Sequence, residues 1–288
     1  MYSSLEKILR RAEEQNVPFW KAVQLHDCRE SDITEEQSFE RMRSMYRAML
    51  ESDRNYDPAL KSASGLVGGE AEKLHRAREE GKLIVGNLIA SVMEKSLRVA
   101  ESNACMRRIV AAPTAGSCGV VPAVLISVQD ELQIPEDKMV EALYVAAGIG
   151  GVIARRASLS GAAGGCQAEI GSASAMAAGA LAYLLGADAQ TVTDAAALAL
   201  KSLLGLACDP VAGLVEIPCV KRNVIGAVNA VTSAEMAVSG IRSKIPADQV
   251  IDAMGSIGKR MPEEIRETAK GGLAVTPEAQ AIAAKIRM

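Results

Sequence analysis

The sequence predicts an all-α protein, a single large helical domain of Ala/Gly-rich helices with a short helical N-terminal cap. Three observations carry that expectation. Alanine fills 48 of 288 positions, about one in six, and Leu, Met, Glu and Lys accompany it, a composition that favours helix. Apolar residues recur at three- and four-residue spacing, as in Phe39, Met42, Met45, Tyr46 and Met49. No segment alternates apolar and polar residues convincingly, and one Trp, five Tyr and two Phe are too few for an all-β sandwich.

The elements follow in order. Ser3 and Glu6 have capping-box spacing at the start of a first helix. Pro18 suits the first turn of a second, running to about His26. Thr34 and Gln37 repeat the capping-box pattern and open a third, to about Glu51. Residues 54–69, with Pro58, serines and three glycines, read as a loop. Helices are expected next at 70–80, 82–104, 119–132, 136–155, 167–186, 189–205, 222–243, 246–258 and 262–269. Residues 1–56 form the cap and 57–288 the main domain, with no internal repeat.

Charge separates the interior from the surface. Residues 1–110 carry 36 of the 67 charged groups, whereas 111–220 carry 14, so the middle third is core. A net charge of −3 argues against an electrostatic nucleic-acid binder, and scarce rings argue against a single-strand binder. Residues 109–129 are uncharged, but Pro113, Pro122 and polar residues interrupt them, and alanine-rich stretches insert poorly into bilayers. The first apolar residues are broken by Glu6, Lys7, Arg10 and Arg11, unlike a secretory signal. A cytoplasmic protein with no membrane and no nucleic-acid partner is expected.

Six cysteines in such a chain read as thiols or metal ligands. Cys166 follows two glycines and precedes a helix, where the dipole would lower its pKa. Cys208 lies at the expected end of another helix, before Asp209 and Pro210, and Cys219 follows Pro218. Three soft ligands without a nearby histidine suit an iron–sulfur cluster or zinc, although structural zinc wants four ligands at short spacing. The alternative is that these cysteines simply pack as small apolar residues. That is the reading for Cys105 and Cys118, and Cys28 reads as a surface thiol.

Four strings together resemble the α chain of bacterial iron–sulfur L-serine dehydratase. They are SASGLVGGEAEK (62–73), RIVAAPTAGSCGVVPAVL (108–125), SGAAGGCQAEIGSASAMAAG (160–179) and GLACDPVAGLVEIPCVKRN (205–223). The resemblance implies a [4Fe–4S] cluster on Cys166, Cys208 and Cys219, and elimination of water from L-serine to give pyruvate and ammonia. It also implies a separate β chain, because the family's Ser-Ser-Ser-His-Thr motif is missing from this sequence. The chain likewise lacks the terminal cysteine of single-chain relatives.

An iron left open by three ligands would act as Lewis acid on serine, and a base would remove the α-proton. Candidates for the catalytic group are Lys73, Asp209 or a histidine of the partner. Donors for the substrate carboxylate are sought at Ser62, Ser64, Gly68, Gly69 and Lys73, a loop that resembles an anion cradle before a helix. Thr114 and Asn223 are further candidates, and Asp209 could instead orient the cluster or cap a turn. Arg222 reads equally well as a surface charge at a helix start. The competing functions are a cysteine desulfidase-like relative, a non-catalytic iron–sulfur carrier and a pyridoxal-phosphate dehydratase, which would need an α/β fold.

Overall fold

The computed structural model describes residues 2–286. They form thirteen α-helices: α1 Leu5–Glu14, α2 Phe19–Ser31, α3 Glu35–Arg54, α4 Glu70–Glu79, α5 Gly86–Ala104, α6 Val120–Leu132, α7 Glu136–Arg156, the single turn α8 Gly161–Gly164, α9 Ser172–Leu184, α10 Ala189–Lys201, α11 Cys219–Val238, α12 Ala247–Arg260 and α13 Pro277–Ile286. Among the described residues there is no strand, only an isolated bridge between Cys208 and Arg266. None of the described helices is long and apolar enough to cross a membrane.

Capping sets several boundaries. Thr34 and Gln37 form both halves of the expected box: Gln37 N–H donates to Thr34 Oγ1 at 3.2 Å, and Thr34 N–H donates to Gln37 Oε1 at 3.0 Å. Thr34→Ala is expected to lower stability by about 1 kcal/mol in chemical denaturation, because one N–H of the first turn loses its acceptor. The first helix is capped one residue later than expected, by Ser4, whose hydroxyl accepts from Lys7 N–H. α2 begins after Pro18 and runs on to Ser31, where Asp32 at φ 50° ends it.

The centre is α9, buried from Ser172 to Ala182 and enclosed by α6, α7, α10 and α11. Small side chains let these helices approach. Ser174 donates to the Gly226 carbonyl of α11 at 2.7 Å, and Gly179 lies directly under Ile149 of α7. The N-terminal helices cover the other side of α7 with the chain's few rings. Trp20, Phe39 and Tyr144 pack with centroids 6.2–6.3 Å apart. Tyr46 is fully buried and donates to Gln129. The cap therefore shares one apolar core with the rest of the chain.

Three expectations are corrected here. α10 stops at Lys201 rather than near 205, so Cys208 sits in extended chain and not at a helix end. The helix expected at 262–269 is a short 3-10 turn, Glu263–Ile265, followed by irregular backbone. Its residues instead pair with Cys208: Cys208 N–H donates to Ile265 O at 2.8 Å, and Glu267 N–H donates to Cys208 O at 2.7 Å. The segment beginning at Gln167 opens as a π turn, Gln167–Gly171, before α9 becomes regular.

Candidate active site

The loops at the ends of α8, α10 and α11 bring Cys166, Cys208 and Cys219 together. Gly165, at φ 74°, turns the chain sharply before Cys166, and a Cβ there would stand 2.9 Å from the Leu206 carbonyl. Gln167 is fully buried and stitches the surroundings. Its amide donates to the Gly164 carbonyl at 2.8 Å, and its oxygen accepts from Gly205 N–H at 2.9 Å. Cys219 is the first residue of α11. Asn223, one turn later, donates to the carbonyls of Cys219 and Gly116 and accepts from Gly119 N–H. Its amide thus fastens the 112–119 loop to the third cysteine.

All three thiols are buried and none is in a disulfide. Burial pushes Cys166 up to about 11, the nearby Arg222 guanidinium opposing and Glu169 reinforcing the rise. This reverses the expected lowering at a helix start, since burial outweighs any dipole. Cys219 is pushed up to about 12 by burial, then by Cys166 and Glu169. Cys208 is raised furthest, by burial and then by Cys166, Glu169, Cys219 and Glu267. The thiols thus face one another closely enough to oppose each other's ionisation. Yet no three His, Cys, Asp or Glu side chains among the described residues close on a single-ion site.

Arg222 is an inward-facing residue, not a surface charge. It donates to the Ala207 carbonyl at 2.7 Å and to Asp209 Oδ1 at 2.8 Å, and its positive charge favours the Cys166 thiolate. Asp209 takes a second donor, Leu273 N–H, at 2.9 Å on its other oxygen. Thr114 reaches the same region and donates to Glu169 Oε1 at 2.7 Å. Burial raises the Glu169 carboxyl pKa; the Thr114 bond opposes that rise and Glu267 adds to it.

The serine–glycine loop meets the site indirectly. Ser62 and Ser64 hydroxyls both donate to Glu216, a buried carboxylate three residues before Cys219. Gly68 and Gly69 have φ of 129° and 76°, and the carbonyl of Gly68 accepts from Lys61. The first amides of α4, those of Glu70 and Ala71, donate to Glu101 Oε1 at 2.9 and 3.1 Å. The serine hydroxyls of the expected cradle thus hold a carboxylate of the protein itself, as do the adjoining amides at the start of α4. Lys73 lies exposed on α4.

Cys118 is fully buried and pushed up to about 12 by that burial, whereas Cys28 and Cys105 are partly exposed. Both histidines have partners elsewhere: His26 packs on Tyr2, and His75 meets Glu94 at 3.1 Å. Residues not anticipated as site groups are Gln167, Glu169, Glu216 and Glu267. The first two lie one and three residues after Cys166, which is the signal that could have found them.

The family model described as serine dehydratase alpha chain matches residues 11–274. The chain belongs to this family. Among similar relatives of this α chain is a Bacillus subtilis protein described as a probable L-serine dehydratase, alpha chain. It is 42% identical over 286 residues, covering 99% of this chain and 95% of the relative. The L-serine dehydratase alpha chain of Peptoniphilus asaccharolyticus is 37% identical, covering 98% and 97%. An L-serine dehydratase of Helicobacter pylori is 40% identical over 245 residues, covering 82% of this α chain but only 54% of that longer protein.

Proposed function

We propose that this chain is the α subunit of an L-serine dehydratase that converts L-serine to pyruvate and ammonia. Cys166, Cys208 and Cys219 would hold a [4Fe–4S] cluster, and a separate β chain bearing the Ser-Ser-Ser-His-Thr motif would complete the enzyme. The observation that carries this reading is the meeting of three buried thiols from separated segments beside one guanidinium. Three buried thiols that oppose each other's ionisation need positive charge between them, and metal binding supplies it as protons leave. Family membership, with relatives named as L-serine dehydratases, supports the substrate.

When bound, the cluster supplies Lewis-acidic iron that helps the serine hydroxyl to leave. The chain's own residues do the rest of the positioning. Arg222 favours the Cys166 thiolate and is itself held by Asp209. Asn223 and Gln167 fix the backbone on either side of the ligands. Ser62 and Ser64, through Glu216, tether the segment between Cys208 and Cys219. Six thiols without disulfides suit the reducing cytoplasm.

Anaerobic reconstitution with iron and sulfide, with and without the β chain, tests the proposal. The loaded complex should release pyruvate from L-serine, and the α chain alone should not. A loaded complex inert toward every hydroxy- or thio-amino acid would leave a cluster carrier, and faster turnover of L-cysteine would make it a desulfidase.

A further inference from the structure

The buried carboxylates of this chain lie beside cations or hydrogen-bond donors, Asp53 meeting Lys95 and Arg98 although its Oδ1 accepts no hydrogen bond, whereas the partly buried Glu169 meets no cation. Glu94 is met by His75, Arg78 and Arg98. Glu101 accepts from Tyr56 and from two amides of α4. Asp209 accepts from Arg222 and Leu273, and Glu216 from Ser62 and Ser64. Glu169 has the Thr114 hydroxyl on Oε1, and no Lys, Arg or His among the described residues pairs with it. The charge that acts on it is another carboxylate, that of the exposed Glu267.

The space in front of Glu169 is kept clear by glycines. A Cβ added at Gly161 would stand 2.9 Å from Glu169 Oε2, 3.0 Å from Glu267 Oε2 and 3.1 Å from Cys208 Sγ. A Cβ at Gly116 would stand 3.0 Å from Glu169 Oε1. Two carboxylates and a thiol proposed as an iron ligand therefore converge on one point from which side chains are absent. Glu169 also projects from the π turn that follows Cys166, an irregularity that often marks a functional position. A half-buried carboxylate without a cation, facing a second carboxylate, is unfavourable until a cation arrives. L-serine brings one.

We propose that Glu169 receives the α-ammonium of the substrate, with Glu267 adding negative charge at the same point. This rests on the reading of the chain as a serine dehydratase. It makes Glu169 the residue that separates amino acids from hydroxy acids of the same shape, since only the former carry the ammonium. The Thr114 bond fixes the carboxylate and leaves Oε2 for the ligand.

The test uses the cluster-loaded complex with its β chain and the variant Glu169→Gln, which retains the acceptor for Thr114. Iron content and visible absorption establish that both proteins are loaded. Anaerobic calorimetry then compares L-alanine, which keeps carboxylate and ammonium, with propanoate, which keeps only the carboxylate. The preference for L-alanine should fall by about tenfold or more in the variant, the worth of a charge-assisted hydrogen bond. KM for L-serine should rise, while propanoate binds as before. An unchanged preference, or equal weakening of both ligands, overturns the inference. So does a fall in kcat alone, which would make Glu169 a proton acceptor. If Glu169→Gln fails to load, Glu169→Asp carries the same comparison, because it sets the charge back by one methylene. If the wild-type complex binds L-alanine with the Glu169-dependent preference but does not turn over L-serine, the dehydratase reading fails while the ammonium site stands.

Discussion

Serine in place of Cys166, Cys208 or Cys219 is expected to abolish cluster binding and activity, each substitution alone. Serine matches cysteine in shape, so the buried packing survives. Its hydroxyl ionises far less readily than a thiol and is a hard ligand poorly suited to an iron–sulfur cluster. The three cysteines come from three segments that converge only in the folded chain, and no other cysteine is placed to substitute. Cys118 is buried with its sulfur 3.9 Å from the Val99 carbonyl of α5. Cys28→Ser is expected to keep both cluster and activity, because Cys28 lies on α2 against the Thr34 carbonyl. Iron and sulfide content, with visible absorption, provide the measurement. A full cluster in any of the three site variants removes that residue from the ligand set.

The second large effect is expected at Arg222. Arg222→Met removes the partner of Asp209, a carboxylate only 5% exposed, and the hydrogen bonds to Asp209 and Ala207 disappear together with the charge that favours the Cys166 thiolate. Breaking a buried ion pair from one side costs about 3–5 kcal/mol, because the remaining charge stays desolvated. The apo chain should lose stability on that scale in denaturant titrations, and the loaded protein should lose iron. A double variant, Arg222→Met with Asp209→Leu, should recover most of the stability, since neither buried charge remains. It should not recover the cluster, because the charge beside Cys166 is still missing. Recovery of both would confine Arg222 to a structural role.

The helical class and most element positions were legible because periodicity, capping pairs and alanine all pointed the same way. Thr34 with Gln37 is the clearest instance, both reciprocal bonds being present. What local pattern could not supply was long-range pairing. Residues 262–269 favour helix by composition, but the backbone of 265–267 is taken up by Cys208, and Glu267 and Ala269 adopt positive φ. Helix α13, by contrast, had a readable signal in Pro277 followed by alanine-rich sequence, and it was absent from the expected elements. That Cys166, Cys208 and Cys219 lie buried near one another was legible from glycines, prolines and the family resemblance together. The direction of the Cys166 pKa was not, because burial depends on segments that sequence spacing does not reveal. Likewise the serine–glycine loop looked like a cradle for a substrate anion. Glu216, which its serine hydroxyls hold, and Glu101, which the adjoining α4 amides hold, are 154 and 31 residues away from Ser62 and Glu70.

The pairing of Cys208 with Ile265 and Glu267 bears on how the protein is made. A nascent chain carries Cys166, Cys208 and Cys219 out of the ribosome well before the segment that fixes the middle one. Until residue 267 emerges, Cys208 has neither its backbone donor nor its acceptor, and Asp209 still lacks the amide of Leu273. Synthesis proceeds at about 5–20 residues per second, so the 59 residues from Cys208 to Glu267 correspond to a delay of some seconds. During that interval the helical core around α9 can already close. On the proposed cluster reading, iron would be received after translation of the chain is nearly complete, on a folded scaffold rather than an emerging chain.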